Sequence, residues 1–516
     1  MFMKKNSTIL RLIAMLVLSV MMISAFASCA HTGDGTTTTE PEANNAGTTA
    51  PSGEEVTSSD VDEQGYKLDD LPELNFGSQI NILAWADVEH EEFDIAYEDL
   101  SGDIVEQSLY DRNVMVEERL GVTLNFIRTV DGDADHVGDW NAYVNNSVSI
   151  SARAFDIIAG YSLSMAACAV NGYLYNMLDD TCEYLNFDQP WWSELLLEQA
   201  TFGDNLYFAS GDISRNALEM MYVCYANTDL LEKYQLSNPQ DLVESGDWTY
   251  DKFIEMCQGI YEDDGDGIKN CTNDTGDTFG YITSGIHVDP WFYGSGATIC
   301  ERNADGEIVE SPSFSGERVA NTIDKLCNLL EGEYAIYTEN DAGKAKVYHQ
   351  RAFGQGRSLF MMDRARVSHK VLAADYGETK FVILPCPKYD KDQEKYITVM
   401  GNPFTLYAIA LDVADPTMAS AFIECFASEG YRKVTPAVFE ISLKTRYVDD
   451  ALSGRMYDII RANITYDVGR IFSDSLIGQG NFRNAVQNHQ AWGSMAKQAS
   501  MGLKKSLVKL NKALDQ

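Results

Sequence analysis

Residues 155–161, Phe-Asp-Ile-Ile-Ala-Gly-Tyr, form a short β-rich run, and the small residues that follow lead into a helix. Two earlier runs match it. Gln79 to Trp85 (QINILAW) and Val122 to Ile127 (VTLNFI) read as strands, and Val105 to Leu120 between them carries apolar residues at helical spacing. This β-α-β-α order predicts an α/β architecture with mainly parallel sheets flanked by helices. In such sheets ligands meet the loops beyond the carboxyl ends of the strands. That rule singles out Trp85-Ala86-Asp87 and Gly160-Tyr161-Ser162. Further along, Met220 to Ala226, Phe381 to Leu384 and Phe404 to Leu411 read as strands, Tyr250 to Ile260 reads as helix, and the last hundred residues read as mainly helical.

The chain begins with Lys4, Lys5 and Arg11, then the apolar run Leu12 to Phe26, then Ala27, Ser28 and Cys29. A basic start, an apolar middle of about 7–15 residues and small residues at a cleavage point make a secretory leader over residues 1–28. The run falls short of the roughly 20 apolar residues of a membrane span, so an uncleaved anchor is the lesser reading. Phe26-Ala27-Ser28-Cys29 resembles a bacterial lipobox with Phe in place of the usual Leu. Lipidation of Cys29 is the expectation, and it places the mature chain on the outer face of the cell membrane. Residues 29–70, rich in Thr, Ser, Gly, Pro and acidic groups, read as a disordered tether.

The precursor carries a formal charge of -39, and loss of the leader makes the mature chain more acidic. Such a surface repels nucleic acid and anionic lipid. It also disfavours anionic ligands unless a local basic pocket exists, so a neutral or cationic ligand is the simpler expectation. Of ten cysteines, Cys29 is assigned to lipid. The other nine are scattered without a CxxC pair and read as reduced, buried thiols.

Several segments, in order, resemble extracellular solute-binding proteins of ABC importers, the carbohydrate-binding family 1. They are Asn113 to Asn125, Phe155 to Ala159, Tyr173 to Leu178, Phe202 to Ser214, Cys224 to Leu236, Gly246 to Asp251, Gly356 to Met361 and Ile383 to Lys388. Two positions depart from the family pattern. Ala226 replaces the aromatic before Asn227, a shift of one residue that turns Tyr225 toward the core, and Gln235 replaces a glycine. The resemblance implies a two-lobed, periplasmic-binding-protein-like fold of type II with a hinge between the lobes. It places the solute-binding domain at residues 71–516, with an N-lobe of about 76–215 plus 350–400 and a C-lobe of about 216–349 plus 401–516. It implies a monomer that holds a carbohydrate between the lobes and delivers it to ABC permease subunits, with no cofactor required and no catalysis. A peptide or other small solute is the alternative ligand.

A sugar cleft needs aromatic plates for ring faces and carboxylates, amides and guanidiniums for hydroxyls. The candidates are Trp85, Asp87, Tyr161, Asp212, Trp291, Phe292, Asp363 and Arg364, each of which also reads as core packing or plain surface; Trp291 and Phe292 fall in HVDPWFYGSG, which reads as a loop with Pro290, Gly294 and Gly296. Trp191-Trp192 is a further candidate rim, and Trp248 reads as a packing anchor. Residues 262–274 resemble a calcium loop, with Glu262, Asp264, Asp266, the Ile268 carbonyl, Asn270 and Asp274 as ligands of a structural ion. An acidic surface turn is the competing reading. His90 among Glu89, Glu91 and Glu92 reads as a solvated charged turn. The sequence has no HExxH, GxSxG or P-loop pattern. A secreted polysaccharide-degrading enzyme is therefore the weaker reading of the whole chain.

Overall fold

Two open sheets, one in each lobe, organise the chain. The computed structural model describes residues 60–515, apart from 89–90, 272–275, 339–347, 378, 445–450 and 477. The leader, Cys29, most of the tether, His90 and Asp274 lie outside the described residues. Residues from Thr57 onward form one contact unit.

The first sheet is built from β1 (Ser78–Ala84), β2 (Val122–Ile127) and β3 (Ile157–Tyr161), with β1 central and parallel to both neighbours. A strand from far along the chain, Thr405–Ile409, completes it antiparallel to β3. Every residue of β3 and of Thr405–Ile409 is buried, which is why both read as nearly continuous apolar runs. The helix Ile104–Leu120 links β1 to β2. Asp103 caps it by accepting from the Val105 N–H, and Gly121 ends it at φ 60°. A side chain at Gly121 would be strained by that φ and would also strike Asn75, so glycine is required there. The helix Pro416–Glu429 packs against Ile104–Leu120. Between them lies the buried Arg112 guanidinium, 3.9 Å from the centre of the Phe426 ring.

The second sheet contains β4 (Tyr222–Asn227), β5 (Thr278–Ser284), β6 (Ala335–Thr338), β7 (Ser358–Arg364) and β8 (Phe381–Leu384) in the order β6-β5-β7-β4-β8. Its β5 pairs are parallel to β6 and β7, whereas β4 runs antiparallel to both β7 and β8. The first sheet is therefore mainly parallel, as expected, with one antiparallel strand, whereas the second is evenly mixed. The lobe boundaries expected from the sequence are corrected too. Residues 358–384 belong to the second lobe, and 405–409 return to the first. Each crossing between lobes hands over a whole strand, and a strand arriving from the other lobe inserts without the crossover helix that enforces parallel pairing.

The crossings lie side by side. Met221 bridges Met400, and Thr398–Val399 pairs in parallel with Ile464–Thr465. Three passages of chain thus form a narrow seam between the lobes, the arrangement of a hinge.

The two departures noted in the sequence have structural consequences. Tyr225 is fully buried, and its hydroxyl donates to the carbonyls of Arg364 and Ala365. Gln235 adopts φ 53°, the left-handed conformation for which glycine is better suited. All nine cysteines among the described residues are buried and unpaired, and burial pushes the Cys182 and Cys327 thiols up to about 11.

Candidate ligand-binding cleft

The ends of β1 and β3 bring Trp85 and Tyr161 together on the first lobe. Their rings meet edge to face with centroids 5.5 Å apart. Trp85 is almost wholly buried, and its indole N–H donates to Thr405 Oγ1 at 3.3 Å. Asp87 acts on the neighbouring loop. Its carboxylate accepts from the N–H groups of Gly132 and Asp133 at 2.8 and 3.2 Å and faces His136 Nδ1 at 3.3 Å. The hydrogen bond to Asp133, with its charge and the contacts of Asp87, raises the His136 pKa against the opposing effect of desolvation.

The opposite wall comes from the end of β7. Asp363 is fully buried and accepts from Gln350 Nε2 (2.6 Å), from the Arg364 N–H (2.7 Å) and from Arg364 Nε (3.1 Å), with His349 Nε2 at 2.8 Å. His287 Nδ1 stands 3.5 Å away. Burial by itself would raise the Asp363 carboxyl, but His287, Arg364 and His349 outweigh it and hold it well below the usual carboxylate range. Burial drives His287 the other way, well below its usual value. The acceptor capacity of Asp363 is thus spent inside the protein, where it orients Arg364.

The Met400–Asn402 segment joins the two walls. Ser162 Oγ donates to the Asn402 carbonyl at 2.7 Å. Gly401 lies against the Arg364 stem so closely that an added Cβ would sit 2.9 Å from Cδ. The Met400 carbonyl accepts from Arg470 Nε at 2.8 Å. Burial pushes the Tyr161 hydroxyl up to about 12, partly offset by the field of Arg470, Arg364 and Arg483.

The structure separates the eight candidates. Trp85 and Tyr161 lie together at the strand ends, Arg364 is near enough for its charge to act on Tyr161, and Asp363 holds Arg364, whereas Asp87 is engaged with the loop at 132–136. Asp212 lies elsewhere, bonded to Thr435 Oγ1 (2.6 Å) and Arg461 Nη2 (3.0 Å). It lines a cavity of about 240 Å³ with Trp191, Trp192 and Tyr466. Both tryptophan indoles in that region donate to Glu424, at 3.1 and 3.2 Å.

Trp291 and Phe292 are corrected from a loop to a buried helix, Asp289–Gly294. Trp291 is 0% exposed and packs on Tyr250, Phe253 and Tyr281 at centroid distances of 4.7, 5.3 and 6.0 Å. Pro290 starts this helix, a role as natural for proline as the turn the sequence suggested. Trp248 is likewise fully buried, against Phe253 and Phe360.

Sequence reasoning missed Asp289, Arg470, Arg483, His287 and His349. Asp289 is buried and receives Arg470 Nη1 (2.7 Å) and both Arg483 Nε (2.7 Å) and Nη2 (2.6 Å). Arg470 also stands over the Tyr293 ring at 5.5 Å. No spacing signature marks such residues, because almost two hundred positions separate Asp289 from Arg483.

In the acidic loop, Glu262 bonds Tyr234 and Lys233, at 2.6 and 2.8 Å. Asp263, Asp264 and Asp266 bring three carboxylates to within 4.8 Å of one another. Asp277, absent from the expected set, ties the loop ends together by accepting from the N–H groups of Asp264 and Asn270.

No protein-family model and no curated protein matches the chain. Solved structures do match it in fold. An ABC substrate-binding protein of Listeria monocytogenes in complex with cycloalternan is 12% identical with a TM-score of 0.50, over 85% of this chain and 99% of that one. The GacH receptor of Streptomyces glaucescens, solved unliganded and with acarbose, is 13% identical with a TM-score of 0.52, over 84% and 98%. The cyclic alpha-maltosyl-1,6-maltose binding protein of Arthrobacter globiformis is 13% identical with a TM-score of 0.52, over 83% and 98%. With its two mixed sheets and the seam between them, this chain has the two-lobed α/β fold of the ABC substrate-binding proteins.

Proposed function

We propose that this protein is the extracellular substrate-binding component of an ABC importer, a non-catalytic monomer that captures a carbohydrate between its lobes and delivers it to permease subunits. The observation that carries this reading is the meeting of the two lobes at a hinge-like seam, with Tyr161 and Trp85 on one wall and Arg364 on the other. Aromatic faces and polar rims suit sugar rings and their hydroxyls. The proteins similar in fold were solved with cycloalternan and acarbose, which supports a saccharide here. Thermal melting of the full-length protein against a panel of mono- and oligosaccharides tests the proposal. A true ligand at a hundredfold excess over its Kd stabilises by about 2.7 kcal/mol and is recovered unchanged. Consumption of the sugar would favour the degrading enzyme instead.

The same proposal has Cys29 lipidated, with the tether holding the cleft near its permease on the outer face of the membrane. Metabolic labelling with an alkyne palmitate analogue is expected to mark the protein and to be lost in Cys29→Ala. Equal labelling of the two overturns the anchor.

A further inference from the structure

The chain is strongly acidic overall, with 78 Asp and Glu against 39 Lys and Arg. At the seam this acidic excess disappears. Arg364, Arg470 and Arg483 converge there from β7 and from two segments of the C-terminal region. Two carboxylates, Asp363 and Asp289, hold all three. Asp467 adds a third carboxylate whose charge acts on Arg470, although its oxygens hydrogen-bond the N–H groups of Ile299, Cys300 and Gly469 rather than a guanidinium.

The guanidiniums are only partly used. Arg364 donates through Nε alone, so its two terminal nitrogens have no hydrogen-bond partner among the described residues. Arg483 spends Nε and Nη2 on Asp289 and keeps Nη1. Neither residue is among those with buried orphan nitrogens, so these N–H groups keep some contact with solvent. The side chains are nonetheless well enclosed, 13% exposed at Arg364, 7% at Arg470 and 25% at Arg483. The Tyr161 hydroxyl across the seam also lacks a partner among the described residues. A planar, permanently charged guanidinium fixed by a buried carboxylate, with its terminal edge left open, is the usual protein device for gripping a carboxylate or phosphate. Neutral hydroxyls do not require three of them.

We infer that the cleft takes a saccharide bearing an anionic group, carboxylate or phosphate, seated on the open edges of Arg364 and Arg483 and within reach of Arg470 and Tyr161. This deepens the solute-binding proposal and rests on it. The acidic surface is then no obstacle, because the site supplies locally what the rest of the molecule lacks.

Calorimetric titration of the full-length protein with matched pairs tests the inference: digalacturonate against maltose, and glucose 1-phosphate against glucose, with inorganic phosphate alone. At least one acidic member is expected to bind tenfold or more tightly than its neutral partner, and which one does identifies the anion. Arg364→Gln is expected to abolish that preference. Arg483→Gln, altered at the most exposed of the three, is expected to reduce it, and unliganded melting of both variants shows that they fold. A neutral sugar that binds as tightly as its acidic partner, or a preference that survives Arg364→Gln, overturns the inference and leaves the solute-binding reading standing. Inorganic phosphate that matches glucose 1-phosphate overturns the saccharide part. If no member of the panel binds, the inference and the carbohydrate reading fail together.

Discussion

Asp289→Asn is expected to destabilise the protein by about 3 kcal/mol, seen as an earlier midpoint in urea unfolding at pH 7. The buried Asp289 carboxylate receives three hydrogen bonds from two guanidiniums. Removing its charge leaves Arg470 enclosed with the Met400 carbonyl, the Tyr293 ring and the more distant charge of Asp467 for compensation. The cost sits at the low end of the range for broken buried pairs, because Arg483 keeps part of its side chain in solvent. Burial would raise the Asp289 carboxyl, yet Arg483 and Arg470 hold it below its ordinary value. A carboxyl with a lowered folded pKa contributes stability in full above its unfolded value of about 3.9, and loses it as the pH falls through the folded value. The deficit of the variant is therefore expected to be constant near neutrality and to shrink below about pH 4. An unchanged midpoint at pH 7 would show that both guanidiniums find solvent unaided.

Glu92→Gln is expected to behave in the opposite way. Glu92 is fully buried and accepts from Ser214 Oγ at 2.8 Å and from the Asn216 N–H at 2.9 Å. Burial pushes its carboxyl up to about 7, against those hydrogen bonds and the nearby Arg112 and Arg215. An acid whose folded pKa lies above its unfolded value of about 4.3 binds its proton more tightly when folded. Its contribution is complete below that unfolded value and is lost as the pH rises through about 7. The whole loss amounts to about 4 kcal/mol by the linkage relation, about 3 kcal/mol of it above pH 5. Glutamine mimics the protonated form at every pH, and Ser214 can turn its hydroxyl to accept from the new amide. Relative to the parent, the variant is expected to gain about 3 kcal/mol between pH 5 and pH 9, read from unfolding midpoints across that range. A pH-independent difference would show that Glu92 stays charged throughout.

The strands were legible because each is a local run. VTLNFI and FVIL occupy the residues expected, and QINILAW, FDIIAGY, MMYVCYA and FTLYAIAL are found within about two residues of their expected ends. Lobe membership was not legible. Nothing in Phe381 to Leu384 or Thr405 to Ile409 says which sheet will take them, since both are short apolar runs with an interior to fill.

The cleft divides in the same way. Trp85 and Tyr161 stand together at the carboxyl ends of neighbouring strands, a placement legible because those ends are set by nearby residues. Arg364 could be named as one polar candidate, but not the residues it would stand beside. Its partners Arg470 and Arg483 lie more than a hundred positions further on, in segments that read only as helix. Trp291 was misassigned because a proline and glycines mark a turn and a helix boundary alike, and only packing on Tyr250 and Phe253 distinguishes them.

Composition and local pattern thus determined an acidic α/β chain and the strand-end loops that carry Trp85 and Tyr161, and the family resemblance supplied the two lobes. Which lobe each late strand joins, which aromatics face inward, and the gathering of three arginines in an acidic protein were decided by the tertiary structure. The physical reason is range. Periodicity and turn chemistry act over a few residues, whereas a buried carboxylate draws its guanidinium partners from wherever the folded chain brings them.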